Sequence, residues 1–174
     1  MNKKDKGGKL KEVILKVKAI NGAEIPEYAY DTDVGFDLRA NEDTDIMSGE
    51  HKNVSTGLIF EIPKGYVGLI RDRVGIVTKM GINTIAGTFD SGYRGEVSIA
   101  LINHSDETQN IEQGMRIAQM ILVPVVKPKI VKVEKLETTE RGEKTQGSTG
   151  VNEYLDNLAG EIDEFVKKNK KVKK

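Results

Sequence analysis

Between residues 12 and 137 the chain shows little helical periodicity: short apolar or alternating runs follow one another, each cut off by turn-forming residues. No feature constrains the fold more, because strands of this length bury themselves only by pairing into sheets. Runs at 13–20, 53–62, 66–71, 96–103 and 117–126 read as strands. Asn21-Gly22, Pro63-Lys64-Gly65 and Ser91-Gly92 read as the turns between them. Pro124 and Pro128 are expected at strand ends or edges, since proline cannot donate to a ladder. Several short strands at this spacing predict an all-β barrel or sandwich.

The two ends of the chain differ from this middle. Residues 1–11 are rich in Lys and Gly and read as a disordered basic arm, and residues 138–150 form a polar, glycine-rich strip. From 151 onward Val151, Tyr154, Leu155, Leu158, Ile162, Phe165 and Val166 recur at helical spacing, with acids between them. The lysines of 167–174 then stand where a helix C-terminus favours positive charge. Gly160 weakens that helix. The expected organisation is an arm over 1–11, a β domain over 12–137, a flexible strip over 138–150 and a short helix with a Lys-rich tail over 151–174.

Composition narrows the function classes. At 174 residues the chain suits one domain with a core of its own. Lys plus Arg and Asp plus Glu both total 27, so no net field draws nucleic acid to the molecule. There is no cysteine for a disulfide framework, a thiolate metal site or a thiol nucleophile. The first residues lack the apolar stretch of a secretory signal, and no run approaches the roughly 18 apolar residues of a membrane span. A cytoplasmic protein with neither nucleic acid nor membrane as partner is expected.

Four segments hold residue types suited to chemistry. In Asp31-Thr32-Asp33-Val34-Gly35-Phe36-Asp37-Leu38, crowded carboxylates call for a cation or donors, or Asp37 simply caps backbone in a solvated turn. Arg71-Asp72-Arg73-Val74-Gly75 offers guanidinium forks beside a glycine that permits close backbone approach, which suits phosphate. A surface ion pair between Arg71 and Asp72 is the alternative. Across Gly87-Thr88-Phe89-Asp90-Ser91-Gly92-Tyr93-Arg94-Gly95-Glu96, a tight turn carries one Asp and one Tyr. It is either a plain β-hairpin or a tip whose backbone and Tyr93 ring receive a flat ligand. Arg141 through Gly150 mixes glycines and hydroxyls with Arg and Lys, as a linker or a phosphate-compatible strip.

Taken in order, these segments resemble the five motifs of the homotrimeric dUTP diphosphatases over roughly residues 26–150. Gly35-Phe36-Asp37-Leu38 is similar to the first motif, and Arg73-Val74-Gly75 with Lys79-Met80-Gly81-Ile82 to the second. Gly87 to Glu96 is similar to the third, Gly114-Met115-Arg116-Ile117-Ala118-Gln119 to the fourth, and Arg141-Gly142 through Gly147-Ser148-Thr149-Gly150 to the fifth.

The resemblance implies a jelly-roll-like β-barrel and a homotrimer whose active sites are shared between subunits. It implies attack of water on the α-phosphorus of Mg²⁺-bound dUTP, giving pyrophosphate and the dUMP used for thymidylate synthesis. In that reaction Asp90 orients and deprotonates the water, and Gln119 stands beside it and the phosphates. Tyr93 packs on the deoxyribose and leaves no room for a 2′-hydroxyl, while backbone near Asp90, from Gly87 onward, reads the uracil edge. Asp37 holds Mg²⁺ through water, as Mg²⁺ keeps several waters in phosphate sites. Arg73 and Gly75, with Arg141, Gly147, Ser148 and Thr149 of the folding strip, hold the triphosphate.

Several positions depart from the family pattern. Val74 stands where the second motif carries a serine that contacts the phosphate chain. Gln146 stands where the fifth carries an aromatic that stacks on uracil, Lys144-Thr145 replaces a glycine pair, and Met115 replaces a common acid. Losing one donor from a preorganised site can cost on the order of 10²–10³ in rate. Two competing readings follow: a catalytically weak trimer that acts as a nucleotide-responsive binding protein, and the related dCTP deaminase, against which the Gly-Ser-Thr strip argues.

Overall fold

Strict alternation in Glu96–Asn103 turns Val97, Ile99, Leu101 and Asn103 inward, and all four are buried. In the computed structural model, which describes residues 12–143 and 153–170, this run is the strand β8 at the middle of one antiparallel sheet. The other members are β1 (Lys16–Ala19), β4 (His51–Glu61) and β6 (Ile82–Thr84), in the order β1-β4-β8-β6. A second antiparallel sheet holds β2 (Gly35–Arg39), β5 (Tyr66–Arg71), β7 (Thr88–Asp90) and β10 (Arg116–Pro124), in the order β2-β10-β5-β7. A ribbon of β3 (Thr44–Ile46) and β9 (Gln109–Ile111) completes the set.

The inward residues of both sheets meet in one apolar cluster, with Leu38 and Met120 from one side and Val54, Phe60 and Leu101 from the other. The result is the all-β, jelly-roll-like arrangement expected from the sequence. The buried Asn103 is fully used: its amide donates to the carbonyls of Ile46 (2.9 Å) and Glu107 (2.7 Å), and its Oδ1 accepts from Ser105. Such satisfaction is what makes a buried amide tolerable.

Two irregularities do local work. The register of β10 against β2 shifts between Arg116 and Ala118. Without that bulge, Arg116 would share the inward face of Ala118 and Met120; with it, Ile117 and Ala118 are both buried and Arg116 turns outward. In β4 the ladder breaks between Ser55 and Ile59, where Gly57 adopts φ 64°. The Glu96 carboxylate closes this break, accepting from the Gly57 N–H at 2.8 Å and from the Ser55 hydroxyl.

The strands at 66–71 and 96–103 and the turns at Asn21-Gly22 and Pro63-Lys64-Gly65 stand where the sequence predicts them. Pro124 ends β10. Three details differ. Val13 and Ile14 lie exposed ahead of β1. The segment after β5 enters a helix, α1 (Val74–Met80), which ends on Gly81 at φ 67° with its N–H on the Val77 carbonyl. Thr88 to Glu96 is also no β-hairpin: β7 pairs with β5, while β8 pairs with β4 and, at residues 101–103, with β6. The Ser91-Gly92 turn, closed by Tyr93 N–H on Asp90 O at 3.0 Å, carries the chain from one sheet to the other.

A first compact unit ends at Pro128 and residues 129–174 form a second, which contains the helix α2 (Glu153–Lys170). The predicted arm at 1–11 lies outside the described residues. Among the described residues no helix is long and apolar enough to cross a membrane.

Candidate active site

The outer face of the second sheet brings the first group of predicted residues together. Gln119 on β10 is the cross-strand partner of Asp37 on β2 and of Arg71 on β5. Gln119 can lie across β2 because residue 35 is glycine: a Cβ there would sit 2.8 Å from Gln119 Oε1. The amide of Gln119 donates to the Asp72 carbonyl at 2.9 Å. Asp72 is fixed in turn, its carboxylate accepting from the Thr84 N–H (2.6 Å), the Thr84 hydroxyl (2.8 Å) and the Asn83 amide (3.2 Å). Burial alone would raise the Asp72 pKa, but these donors outweigh it and hold the carboxyl below its ordinary value.

Two guanidiniums grip Asp37. Arg73 Nε lies 2.7 Å from Oδ1 and Arg116 Nε lies 3.2 Å from Oδ2, while Arg73 also donates to the Arg116 carbonyl at 3.2 Å. The bulge in β10 is what brings Arg116 to this face. Arg73 is the N-cap of α1 and makes no cap bond with its side chain, which is spent on Asp37 instead. A cleft of about 550 Å³, lined by Asp33, Gly35, Asp37, Arg73, Val74, Gly75 and Gln119 among others, opens over the group. Val74 is 76% exposed in its wall. A larger cleft of about 840 Å³ reaches Asp37 and Arg116 from the side of residues 22–29. Two guanidiniums against one carboxylate leave this face suited to an anion.

The second group lies elsewhere. Gly87, Phe89 and Tyr93 line a separate cleft of about 650 Å³. The Tyr93 ring lies 5.7 Å from that of Phe89, and its hydroxyl donates to the Glu96 carbonyl at 3.1 Å. Gly95 makes that seat possible, since a Cβ there would collide with the Tyr93 hydroxyl. Gly87 lets the chain pass close over Ile70, whose N–H donates to its carbonyl at 2.8 Å. The Asp90 carboxylate makes no hydrogen bond or ion pair among the described residues.

Asp90 pairs with Val67 at one end of β5, and Gln119 pairs with Arg71 at the other. Four residues of strand separate them by roughly 13 Å, with two strand spacings of about 5 Å added across the sheet. One chain therefore holds the two groups apart.

Arg141 is exposed in the second unit and has no side-chain partner among the described residues. Gln146, Gly147, Ser148 and Thr149 lie outside the described residues. Sequence reasoning gave no role to Arg116 or Gly95 and weighed Asp72 only as an ion-pair partner of Arg71, whereas its carboxylate is held by Thr84 and Asn83, which folding brings near. Arg116 carried a signal, a basic residue spoiling the inward phase of an apolar strand; Gly95 is explained by the seat of the Tyr93 ring two residues before it.

A sequence model of the dUTPase family matches residues 21–150. Deoxyuridine 5′-triphosphate nucleotidohydrolase of Nautilia profundicola is 48% identical over 139 residues, which cover 78% of this chain and 98% of the relative. The dUTPase of Staphylococcus bacteriophage 80alpha, in a structure with dUPNHPP, is 32% identical with a TM-score of 0.74, covering 79% of this chain and 99% of that one. A mutant dUTPase from phage phi11 of S. aureus, whose structure concerns coordination of a structural Mg(II) ion, is 27% identical with a TM-score of 0.66. That match covers 72% of this chain and 99% of the phage chain. With the ordered motifs, the sheet arrangement and the matched span in agreement, this chain belongs to the dUTPase family.

Proposed function

We propose that the protein hydrolyses dUTP to dUMP and pyrophosphate by attack of water on the α-phosphorus. The observation that carries this reading is the near-complete match to a deoxyuridine 5′-triphosphate nucleotidohydrolase at 48% identity. The two side-chain groups fit the chemistry. Asp90, with no competing partner among the described residues, is free to orient a water and take its proton. Tyr93, pinned through its hydroxyl, presents a fixed ring face to the deoxyribose and excludes a 2′-hydroxyl by shape. β7 is an edge strand, so the backbone on its open side can read a uracil edge as a strand reads its neighbour. Arg73 and Gly75, with Arg141, Gly147, Ser148 and Thr149 of the strip, receive the phosphates, and Gln119 is held ready beside them by Asp72.

The metal is Mg²⁺ in this reading. The described residues contain no cluster of three acids or histidines that could cage an ion, and both Asp37 oxygens already face guanidiniums. That donor set fits an ion that arrives on the phosphates and meets Asp37 through water. When bound, Mg²⁺ neutralises phosphate charge and fixes its geometry. The working form is a homotrimer with shared sites, in a cytoplasmic setting that suits a cysteine-free chain. Two facts support the assembly: the distance between Asp90 and Gln119 within one chain, and the exposure of Val126, Ile130 and Leu136 at 91, 94 and 79%.

Pyrophosphate release from a panel of dNTPs and UTP with Mg²⁺ tests the proposal. Turnover of dUTP well above that of dCTP and UTP, abolished in a folded Asp90→Asn variant, is expected. Near wild-type hydrolysis by Asp90→Asn refutes its role, and comparable kcat/KM on UTP refutes that of Tyr93. The exposed Val74 favours a second reading, a trimer that binds dUTP but turns it over slowly. Tight dUTP binding without pyrophosphate release selects it.

A further inference from the structure

The family match ends at residue 150, and α2 follows it. None of its residues enters the reaction proposed above. Leu158, Ile162 and Phe165 of α2 are 39, 55 and 70% exposed, and their spacing of four and then three places them on one helix face. By sequence the same spacing begins at Leu155, so that four apolar residues of α2 keep the repeat of a helix-to-helix seam before the polar Asn169. Gly160 falls on the face opposite that seam, where it lowers helix stability without opening the contact.

Charge selects the occupant. Within 153–170 every carboxylate precedes Phe165 and every lysine follows it. A parallel neighbour would set acid on acid and lysine on lysine. An antiparallel copy sets each acidic half against a basic half. The register that packs Ile162 against the partner's Phe165 also brings Glu161 opposite the partner's Lys168, and a two-fold axis makes each contact twice.

We propose that α2 is a self-association helix, pairing antiparallel with α2 of a second copy of this chain. A lipid surface is the competing occupant of a helix with one apolar face and terminal lysines. The acidic half of α2, which anionic lipid repels, favours the second copy. One pair of helices about 27 Å long makes a weak contact. If the chains are trimers, pairs formed together between two trimers reinforce one another through effective concentration. The pairing itself does not depend on that reading or on the reaction.

Sedimentation velocity of the full chain tests it, comparing wild type with Ile162→Asp, Glu161→Lys and the double variant Glu161→Lys/Lys168→Glu. Wild type is expected at about twice the mass of Ile162→Asp. Glu161→Lys should shift wild-type association toward the smaller species, and the double variant should restore it, because the reversed pair attracts again. All four should hydrolyse dUTP equally per chain, which shows that the β domain is intact whatever happens at α2. Equal masses for wild type and Ile162→Asp overturn the proposal, as does failure of the double variant to recover. Binding to phosphatidylglycerol vesicles without any change of mass overturns it in favour of a membrane surface.

Discussion

Replacing Gly87 by alanine should destabilise the fold through a single contact. An added Cβ would lie 2.5 Å from Ile70 Cβ, 3.1 Å from its Cγ1 and 3.2 Å from its Cα. Carbon atoms pack at about 3.5–4.0 Å, so roughly 1 Å of movement is needed. Ile70 is 4% exposed and lies within β5, paired with Met120, so the stem of its side chain cannot swing away. The backbone before β7 must lift instead, which strains the Ile70 N–H bond to the Gly87 carbonyl. Overpacking costs about 1–3 kcal/mol, and a contact with so fixed a partner belongs at about 2–3. For a chain of this length each kcal/mol moves Tm by about 2–4 °C, so a fall of about 4–12 °C is expected by calorimetry. Gly92→Ala is the control: a Cβ there meets nothing within 4 Å, and the change should be neutral or stabilise by about 0.4–1 kcal/mol. The displaced β7 carries Asp90, so kcat should fall alongside Tm in Gly87→Ala and stay level in the control. A Gly87→Ala melt within about 1 °C of wild type would refute the claim that Ile70 dictates the glycine.

Other substitutions test the phosphate face. Val74→Ser should raise kcat on dUTP by restoring a hydroxyl to the cleft wall; no gain, together with a large loss in Lys144→Ala, would mean the phosphate contacts run through the strip instead. Gly35→Ala should push Gln119 off the Asp72 carbonyl and lower kcat with little effect on KM, which steady-state kinetics will read. Asp72 has a folded pKa below its ordinary 3.8, so its stabilising contribution is complete above that value and is lost as pH falls through the lower folded one. In urea unfolding, the stability gap between wild type and Asp72→Asn should therefore be widest near neutral pH and close below 3.8; a gap independent of pH contradicts the role given to its carboxylate.

Much of the fold was legible because alternation is a local signal. The 96–103 run announces its inward face residue by residue, and β8 matches it end to end. β7 has only three residues, too few to show a period, and its pairing with β5, some twenty residues back in the chain, is not a local signal. α1 has seven residues, too few to show a helical period, yet forms a helix held by the Gly81 cap and by packing of Ile76 and Met80 on the core. In the candidate site, Asp37, Arg73, Asp90 and Tyr93 could be picked out as types, and Gln119 only through the family resemblance. What each touches could not, since Asp37 meets Arg73 and Arg116 only after distant segments come together. The bulge that frees Arg116 has no signature beyond a charge out of phase.

The length of β5 between Val67 and Arg71 has a genetic consequence. In the proposed shared-site trimer, Asp90 and the Arg73 group of one chain serve different nucleotides, so a lesion in either spoils a site shared with a neighbour and leaves that chain's other half-site sound. Asp90→Asn and Arg73→Ala proteins, each inactive alone, should complement when mixed and allowed to exchange subunits. With random exchange about a quarter of the sites draw an intact Asp90 from one variant and an intact Arg73 from the other. Both substitutions placed in the same chain leave nothing to complement, so the two alleles rescue each other in trans and never in cis.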